Sequence, residues 1–337
     1  MIDLEDVYGG KRALVTGGLG FIGSNLARRL AELSARVTVI DALLPEQGGN
    51  YFNLEGTASR IDIREGDIGE LVGVEGLLEG KDFVFNLAAM TSHVGSVENP
   101  LMDLGMNCRS HLQFLEVLRE VNRDCVMLYT GSRSQYGMAE YLPADEEHPF
   151  DPVDINGVHM TTVEMYHKLY SEIYGMPCVR LRITNVYGPR HLMSHSKQGF
   201  IHWFIRVALS GGEIKVFGDG TQQRDFIYVG DCVEAILQTA AEEMCHGKVL
   251  NVGSGVPVSV LDCARAIAEK TGASYRLVPF PDQYLNVETG DLYLDVSRIK
   301  ELTGWEPAVG FCEGLDMTIE FYRRHWDKYW QRQDPAA

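Results

Sequence analysis

Two groups of residues in this sequence could do chemistry: glycines spaced to cradle a phosphate, and carboxylates placed to meet the rest of a nucleotide. The run Thr16-Gly17-Gly18-Leu19-Gly20-Phe21-Ile22-Gly23 follows an apolar stretch and opens a helical pattern. In such a turn Gly17 permits the tight bend, Gly20 lets the backbone approach a pyrophosphate, and Gly23 lets helix and strand pack closely. The helix that the run opens presents unpaired amides and a partial positive charge to the anion, with Phe21 and Ile22 at the cofactor. Asp41 ends a second apolar run, Val37-Thr38-Val39-Ile40. A carboxylate there stands at the distance expected for the adenosine ribose hydroxyls, which favours NAD over NADP because it repels the extra phosphate. Gly66-Asp67-Ile68 follows a third run, where Asp67 either meets the adenine amino group or serves as a turn residue beside Gly66.

These residues need a scaffold that brings strand ends together. Apolar runs at Arg12–Val15, Arg36–Ile40, Phe83–Leu87, Cys125–Thr130, Cys178–Ile183 and Lys248–Val252 alternate with helical patterns such as Gly23–Leu33, and Leu101–Val121 with Leu104, Cys108, Leu112, Leu115 and Leu118 on one face. That alternation predicts an α/β fold, a Rossmann-type doubly wound parallel sheet with crossover helices. After about Asn185 the rhythm breaks into loops rich in Gly, His and Pro, then a helix over Phe200–Leu209 and a short strand near Ile214–Phe217. We therefore expect residues 1–183 and 225–258 to form the nucleotide-binding domain, and residues 184–224 and 259–330 a smaller C-terminal α/β domain for substrate.

Composition bounds the partners. With 337 residues, 45% hydrophobic and 23% charged, the chain is long and apolar enough for a large core, which excludes disordered, collagen-like and disulfide-scaffold classes. A net charge of −17 opposes a polyphosphate backbone, so no nucleic acid is expected, while a small anion can still be held where arginines converge. No stretch approaches the roughly 20 apolar residues of a membrane span, and the first residues lack the basic start of a secretory signal. We expect no membrane partner and a cytoplasmic location. The seven cysteines are scattered, without Cys-x-x-Cys or clustered histidines, and read as reduced core thiols with no metal site.

Further ordered motifs carry a resemblance over nearly the whole chain. They are Asn86-Leu87-Ala88-Ala89 with Ser96, Pro100 and Asn107; Gly131-Ser132-Arg133-Ser134-Gln135-Tyr136-Gly137; Leu181–Pro189; Phe217–Asp231; and Asn251-Val252-Gly253-Ser254-Gly255. With the glycine run, they make the chain resemble the extended short-chain dehydrogenase/reductase superfamily, in particular its nucleotide-sugar epimerases, dehydratases and decarboxylases. The resemblance implies a tightly held NAD that accepts a hydride from a sugar carbon and usually returns it. Ala88 and Ile68 then line the cofactor site, and Ser132 binds the sugar hydroxyl. It also implies a homodimer, paired through helices Leu101–Val121 and Val153–Tyr174.

The family base is a tyrosine with a lysine four residues later. Here Asn156 stands for the tyrosine and Met160 for the lysine, and no tyrosine in the chain has a lysine four positions on. An amide and a thioether cannot replace a base and a cation, so general-base catalysis worth about 10²–10⁴ must be lost or supplied elsewhere. His159, three residues from Asn156 on the same helix, is the first substitute, because imidazole titrates near neutral pH. A variant His159→Ala is then expected to lose turnover. His93, beside the expected nicotinamide loop, is a second candidate, and each has an ordinary packing role as its alternative.

Substrate-side residues also depart from the pattern. The acid pair of the 4,6-dehydratases is replaced by Arg133 and Ser134, which disfavours dehydration and leaves Arg133 either to grip a substrate carboxylate or to form a structural ion pair. Arg224, with Asn185 nearby in the pattern, matches the arginine that grips the diphosphate; its alternative is a salt bridge to Asp225 or Asp219. A second family arginine is lost in Val287-Glu288-Thr289-Gly290-Asp291, where Glu288 would repel a diphosphate. The loop Arg190–Lys197 could restore positive charge or be a plain connection. The leading expectation is an epimerase-like enzyme acting on a nucleotide sugar or related polyol through NAD. The alternatives are a dehydratase or decarboxylase with a rearranged acid/base set, and a non-catalytic NAD-binding regulator.

Overall fold

The protein is described from a computed structural model over residues 2–70, 74–195, 199–281 and 288–330. Its strands in chain order are β1 (Arg12–Thr16), β2 (Arg36–Asp41), β3 (Ile61–Glu65), β4 (Phe83–Asn86), β5 (Val126–Ser132), β6 (Cys178–Ile183), β7 (Asn185–Tyr187), β8 (Ile214–Phe217), β9 (Gln223–Tyr228), β10 (Val249–Val252), β11 (Pro257–Ser259) and β12 (Tyr275–Val278). Seven form one sheet in the order β10-β6-β5-β4-β1-β2-β3, every neighbouring pair parallel. Strand order reverses between β1 and β4, and in doubly wound sheets ligands bind at that switch point.

The apolar runs read as strands because both faces of the sheet are covered. Ala13 and Val15 of β1 face one core with Leu26 and Leu30, while Leu14 between them faces the other with Phe114 and Leu118. The helices are α1 (Leu4–Tyr8), α2 (Phe21–Glu32), α3 (Val74–Leu78), α4 (His93–Glu98), α5 (Pro100–Asp103), α6 (Ser110–Asn122), α7 (Ile155–Tyr174), α8 (Phe200–Leu209), α9 (Val229–Ala241) and α10 (Val260–Thr271), followed by helices over Ser297–Thr303 and Phe311–His325. α2 and α9 cover the first face, and α3 and α6 the second.

The long helix expected over Leu101–Val121 is interrupted. Residues Leu104–Arg109 form a π-helical turn between α5 and α6. Within it the side chain of Asn107 donates to Met90 O at 3.0 Å and to Asp103 Oδ1 at 2.9 Å, and accepts from Met90 N at 2.9 Å. The widened turn thus ties the helix to the loop after β4, consistent with the frequent placement of such turns at functional sites.

A smaller body is built from β7, β9 and β11, the parallel pair β8 and β12, and α8 and α10, around Ile201, Phe204, Ile214, Val216 and Ile267. Helix Phe311–His325 joins this core, whereas Ile299 and Trp305 pack into the first one, so residues 259–330 contribute to both. At the far C-terminus Tyr329 donates to Asn53 Oδ1 at 2.7 Å, and Asn53 in turn donates to Leu19 O in the glycine turn at 2.8 Å. Among the described residues no helix is long and apolar enough to cross a membrane. All seven cysteines are free thiols, six buried and Cys312 exposed.

Candidate active site

A cleft of about 360 Å³ runs along the C-terminal edge of the large sheet, from Asp41 and Asp67 at one end to Ser132, Asn156 and Met160 at the other. Its floor is the glycine turn. Gly17 has φ +65°, and a Cβ on it would stand 3.1 Å from Ala88 Cα and Leu87 O. At Gly23 a Cβ would lie 2.2 Å from Gly17 O, which is why the helix can seat so closely on the turn. Gly20 begins α2 with no side-chain cap, leaving the helix-start amides to a ligand. Phe21, Ile22, Ile68 and Ala88 line the same cleft. Thr16 locks the opposite lip: its hydroxyl donates to Asn86 Oδ1 at 2.8 Å and accepts from the amides of Leu87 and Ala88, each at 3.0 Å.

Asp41 is held by amides as well as facing the cleft. Its Oδ2 accepts from Leu19 N at 3.0 Å and its Oδ1 from Leu43 N at 2.9 Å. Burial pushes its carboxyl above the usual range, against the pull of those amides. Asp67 lines the cleft and fills its turn role, with Oδ1 accepting from Gly69 N at 2.8 Å. The cradle that a Cβ would fill, the uncapped helix start and the carboxylate at the end of β2 together fit a dinucleotide.

At the other end Ser132 closes β5. Its hydroxyl accepts from Ser134 N at 3.2 Å, and its own amide donates to Gln135 Oε1 at 2.9 Å, a reciprocal cap that fixes the serine at the cleft wall. Asn156 is buried, with Nδ2 donating to Met90 O at 2.6 Å and its backbone amide to Ser96 Oγ at 3.1 Å. The amide in the tyrosine position is therefore a brace between α7 and the loop after β4. Met160 also lines the cleft, and Tyr129 donates its phenolic hydrogen to Met160 Sδ at 3.3 Å.

The structure redirects the search for a base. His159 does not line the cleft. Its Nδ1 lies 2.6 Å from Asp103 Oδ1, in a buried pair that bridges α7 and α5. Three residues along a helix rotate a side chain by about 60° from its predecessor's direction, enough to turn this ring toward α5. His93 does line the cleft, and Nδ1 lies 2.7 Å from Asp154 Oδ2. Asp154 carried no signal of its own in the sequence beyond its place as a helix N-cap, which it fills by accepting from Gly157 N at 2.8 Å.

The arginines also depart from expectation. Arg224 is buried and turned inward, paired with Glu288 and bonded to Gly290 O and Gln223 O, so its guanidinium is committed within the protein rather than open to a diphosphate. Neither Asp225 nor Asp219 is its partner; Asp225 accepts from Ser254, and Asp219 from Thr221. Glu288 thus neutralises an internal cation. Val287 lies outside the described residues. Arg133, next to Ser132, forms no ion pair among the described residues and donates to Asn185 Oδ1 at 3.3 Å, while Asn185 donates to Asp225 O at 3.0 Å and lines the cleft. Burial, reinforced by the like charge of Arg224, brings Arg133 down to about 10.

The loop after β7 closes the cleft and adds no imidazolium charge at His191, whose ring stacks on His202 at 3.8 Å and is brought by burial down to about 4. Leu192 approaches the loop around Gly48 from across the cleft. Ser196 and Lys197 lie outside the described residues.

Known proteins place this geometry. The chain is 32% identical over 318 residues to the UDP-glucose 4-epimerase of Mycolicibacterium smegmatis, covering 93% of this chain and 98% of that one. It is 30% identical to the UDP-N-acetyl-alpha-D-glucosaminuronate decarboxylase of Bacillus cytotoxicus over 319 residues, covering 93% and 98%. The solved epimerase of Methanothermobacter thermautotrophicus superposes with a TM-score of 0.89 at 29% identity, covering 96% of each chain. The profile of the NAD dependent epimerase/dehydratase family matches residues 13–253, spanning the glycine turn, Ser132 and β10, and the chain belongs to that family.

Proposed function

We propose that this enzyme is an NAD-dependent nucleotide-sugar epimerase that works by transient oxidation of one sugar carbinol and uses a proton path different from the family's tyrosine. The observation that carries the reading is the continuity of one cleft from Asp41 past the glycine turn to Ser132 and Asn156. When bound, NAD supplies reversible hydride acceptance. The chain's part is to hold the dinucleotide on the turn, to orient a sugar hydroxyl at Ser132, and to keep the reacting carbon under the wall formed by Asn156 and Met160. A cytoplasmic setting suits its free thiols.

The test is calorimetric titration with NAD and NADP, followed by NMR of UDP-sugars incubated with the NAD-loaded protein. NAD is expected to bind at least about tenfold tighter, since Asp41 opposes a 2′-phosphate. Interconversion of C4 epimers is expected in the sugar spectra. Tight NAD binding with no change in any sugar would favour the regulatory reading instead.

A second reading has its own observation. The Arg133 guanidinium, beside Ser132 and without a carboxylate partner among the described residues, suits a sugar acid, as in a decarboxylase or a uronate epimerase, so UDP-glucuronate belongs in the same panel.

We also propose a homodimer. Leu101 is 81% exposed and Ile173 65%, with Leu104, Val158, Leu169 and Tyr174 also open on α5, the π-helical turn and α7. These exposed apolar side chains on neighbouring helices suit a paired-helix interface. Replacing Leu101 and Ile173 together by glutamate is expected to convert a dimeric mass in light scattering to a monomeric one; an unchanged mass would rule out this face.

A further inference from the structure

The molecule contains two histidine–aspartate pairs near the site, and they differ in what they face. His159 and Asp103 are both buried, at 11% and 1% side-chain exposure, and neither lines the cleft. His93 is 38% exposed and lines the cleft, backed by Asp154 at 2%. The buried pair joins two helices. The open pair has the geometry of a base with its orienting carboxylate.

We infer that His93, oriented by Asp154, carries the substrate hydroxyl proton in place of the missing tyrosine. The inference rests on the epimerase reading above. His93 is the first residue of α4, directly after the loop that follows β4, and it shares the cleft with Ser132, Asn156 and Met160. Asp154 is anchored independently of the histidine, since Oδ1 accepts from Gly157 N at 2.8 Å as the N-cap of α7. Its Oδ2 is therefore presented at a fixed point, 2.7 Å from His93 Nδ1. A carboxylate there selects the tautomer with hydrogen on Nδ1 and leaves the Nε2 lone pair free to accept a proton. No hydrogen bond engages Nε2 among the described residues. Although burial pushes the Asp154 carboxyl up, the hydrogen bond from His93 and the amide of Gly157 hold it below the usual range.

Neither Asn156 nor Ser132 can take the proton. Asn156 gives its side-chain amide hydrogen to Met90 O, and the Ser132 hydroxyl accepts from Ser134 N and has no base to activate it. His111, His167 and His202 are buried in packing, His191 reaches the cleft but stacks on His202 with no carboxylate behind it among the described residues, and burial depresses each of the four. His93 remains as the imidazole with a carboxylate behind it and the cleft in front.

The proton balance closes within the pair. As the carbinol is oxidised, its O–H bond breaks and the proton goes to His93 Nε2, giving an imidazolium whose charge Asp154 offsets. NAD held on the glycine turn would supply the acceptance and return of the hydride from the C–H bond, which leaves the O–H proton to the chain. On return of that hydride to the ketone, Nε2 gives the proton back to the oxygen, and the imidazole ends each turnover neutral. Asp154 acts only through His93 and is a positioning residue.

Three variants of the full-length protein test this. His93→Gln is expected to lower kcat for the converted UDP-sugar by about 10²–10⁴, with NAD affinity within about threefold of the parent, because the glycine turn is untouched. Asp154→Asn keeps a good N-cap residue while removing the charge. His159→Gln is the control for the closed pair and is expected to lower the melting temperature with kcat within a few-fold. The readout beyond activity is the two-bond ¹H–¹⁵N imidazole spectrum of the NAD-free protein, with His93 assigned by its disappearance in His93→Gln. It is expected to show hydrogen on Nδ1, and that preference is expected to weaken in Asp154→Asn. Retained kcat in His93→Gln, or hydrogen found on Nε2 in the parent, overturns the proposal and leaves the epimerase reading standing. Absence of any sugar conversion by the parent protein overturns both.

Discussion

Replacing Gly23 by alanine is expected to cost this protein its dinucleotide, with NAD affinity falling at least about 100-fold and the melting temperature dropping with it. The added Cβ would stand 2.2 Å from Gly17 O, 2.9 Å from Gly17 C and 3.0 Å from Gly18 Cα. All three are backbone atoms of the turn, so no side-chain rotation relieves the clash. Either α2 retreats or the turn deforms, and Leu26 and Leu30 on the same helix belong to the first core. Overpacking of this kind costs about 1–3 kcal/mol in stability, and the shift removes the amide geometry on which pyrophosphate binding depends. The informative partner is Gly76→Ala in α3, where nothing lies within 4 Å of the new methyl group. That variant is expected to be neutral or stabilised by up to about 1 kcal/mol, because alanine favours helix over glycine. Calorimetric titration and thermal melting of the two variants side by side check both outcomes; equal NAD affinities would refute the close-packing account of Gly23.

The largest stability effect is expected from Glu164→Ala. Glu164 on α7 and Arg182 on β6 are 1% and 4% exposed and meet in two parallel bonds, Nη2 to Oε1 at 2.7 Å and Nε to Oε2 at 2.9 Å. Gln135 adds a hydrogen bond to Glu164 Oε2 at 2.6 Å, and Arg182 Nη1 donates to Tyr136 Oη and Glu146 O. The guanidinium also sits over the Phe150 ring at 4.4 Å. Removing the carboxylate alone strands a buried cation, which costs about 3–5 kcal/mol. Urea unfolding should show that loss. The double variant Glu164→Leu with Arg182→Met is expected to recover much of it, because two apolar groups bury without a desolvation penalty. Sugar turnover is not expected to recover with stability. Gln135 is shared between this network and the cap of Ser132, so the serine loses its anchor in either variant. Recovery of kcat in the double variant would separate the ion pair from the positioning of Ser132.

Backbone demands were the most legible part of the sequence. Glycine is the residue that the turn at positions 17–23 requires, and its spacing announced both the turn and the helix it opens. Six of the seven strands of the large sheet could be read because burial leaves continuous apolar runs, whereas the edge strand β3, Ile-Asp-Ile-Arg-Glu, is mostly open to solvent. Side-chain partnerships were less legible, since they depend on contacts between distant segments. His159 and Asp103 are 56 positions apart, Arg224 and Glu288 are 64, and His93 and Asp154 are 61. Helical spacing placed His159 near Asn156, yet the π-helical turn that brings Asp103 to it has no composition signal. Glu288 looked like an obstacle to an anion until its partner was known.

The bond from Tyr329 to Asn53, and from Asn53 to the carbonyl of Leu19, has a consequence for the order in which the molecule can be completed. Residues that shape the phosphate turn are made well before the hydroxyl that steadies them, which lies 276 positions after Asn53. A nascent chain can assemble β1, α2 and β2 from local contacts long before Tyr329 leaves the ribosome. The turn acquires its outermost support only when translation has passed residue 329, so two segments far apart in the sequence are read together in the finished nucleotide cradle.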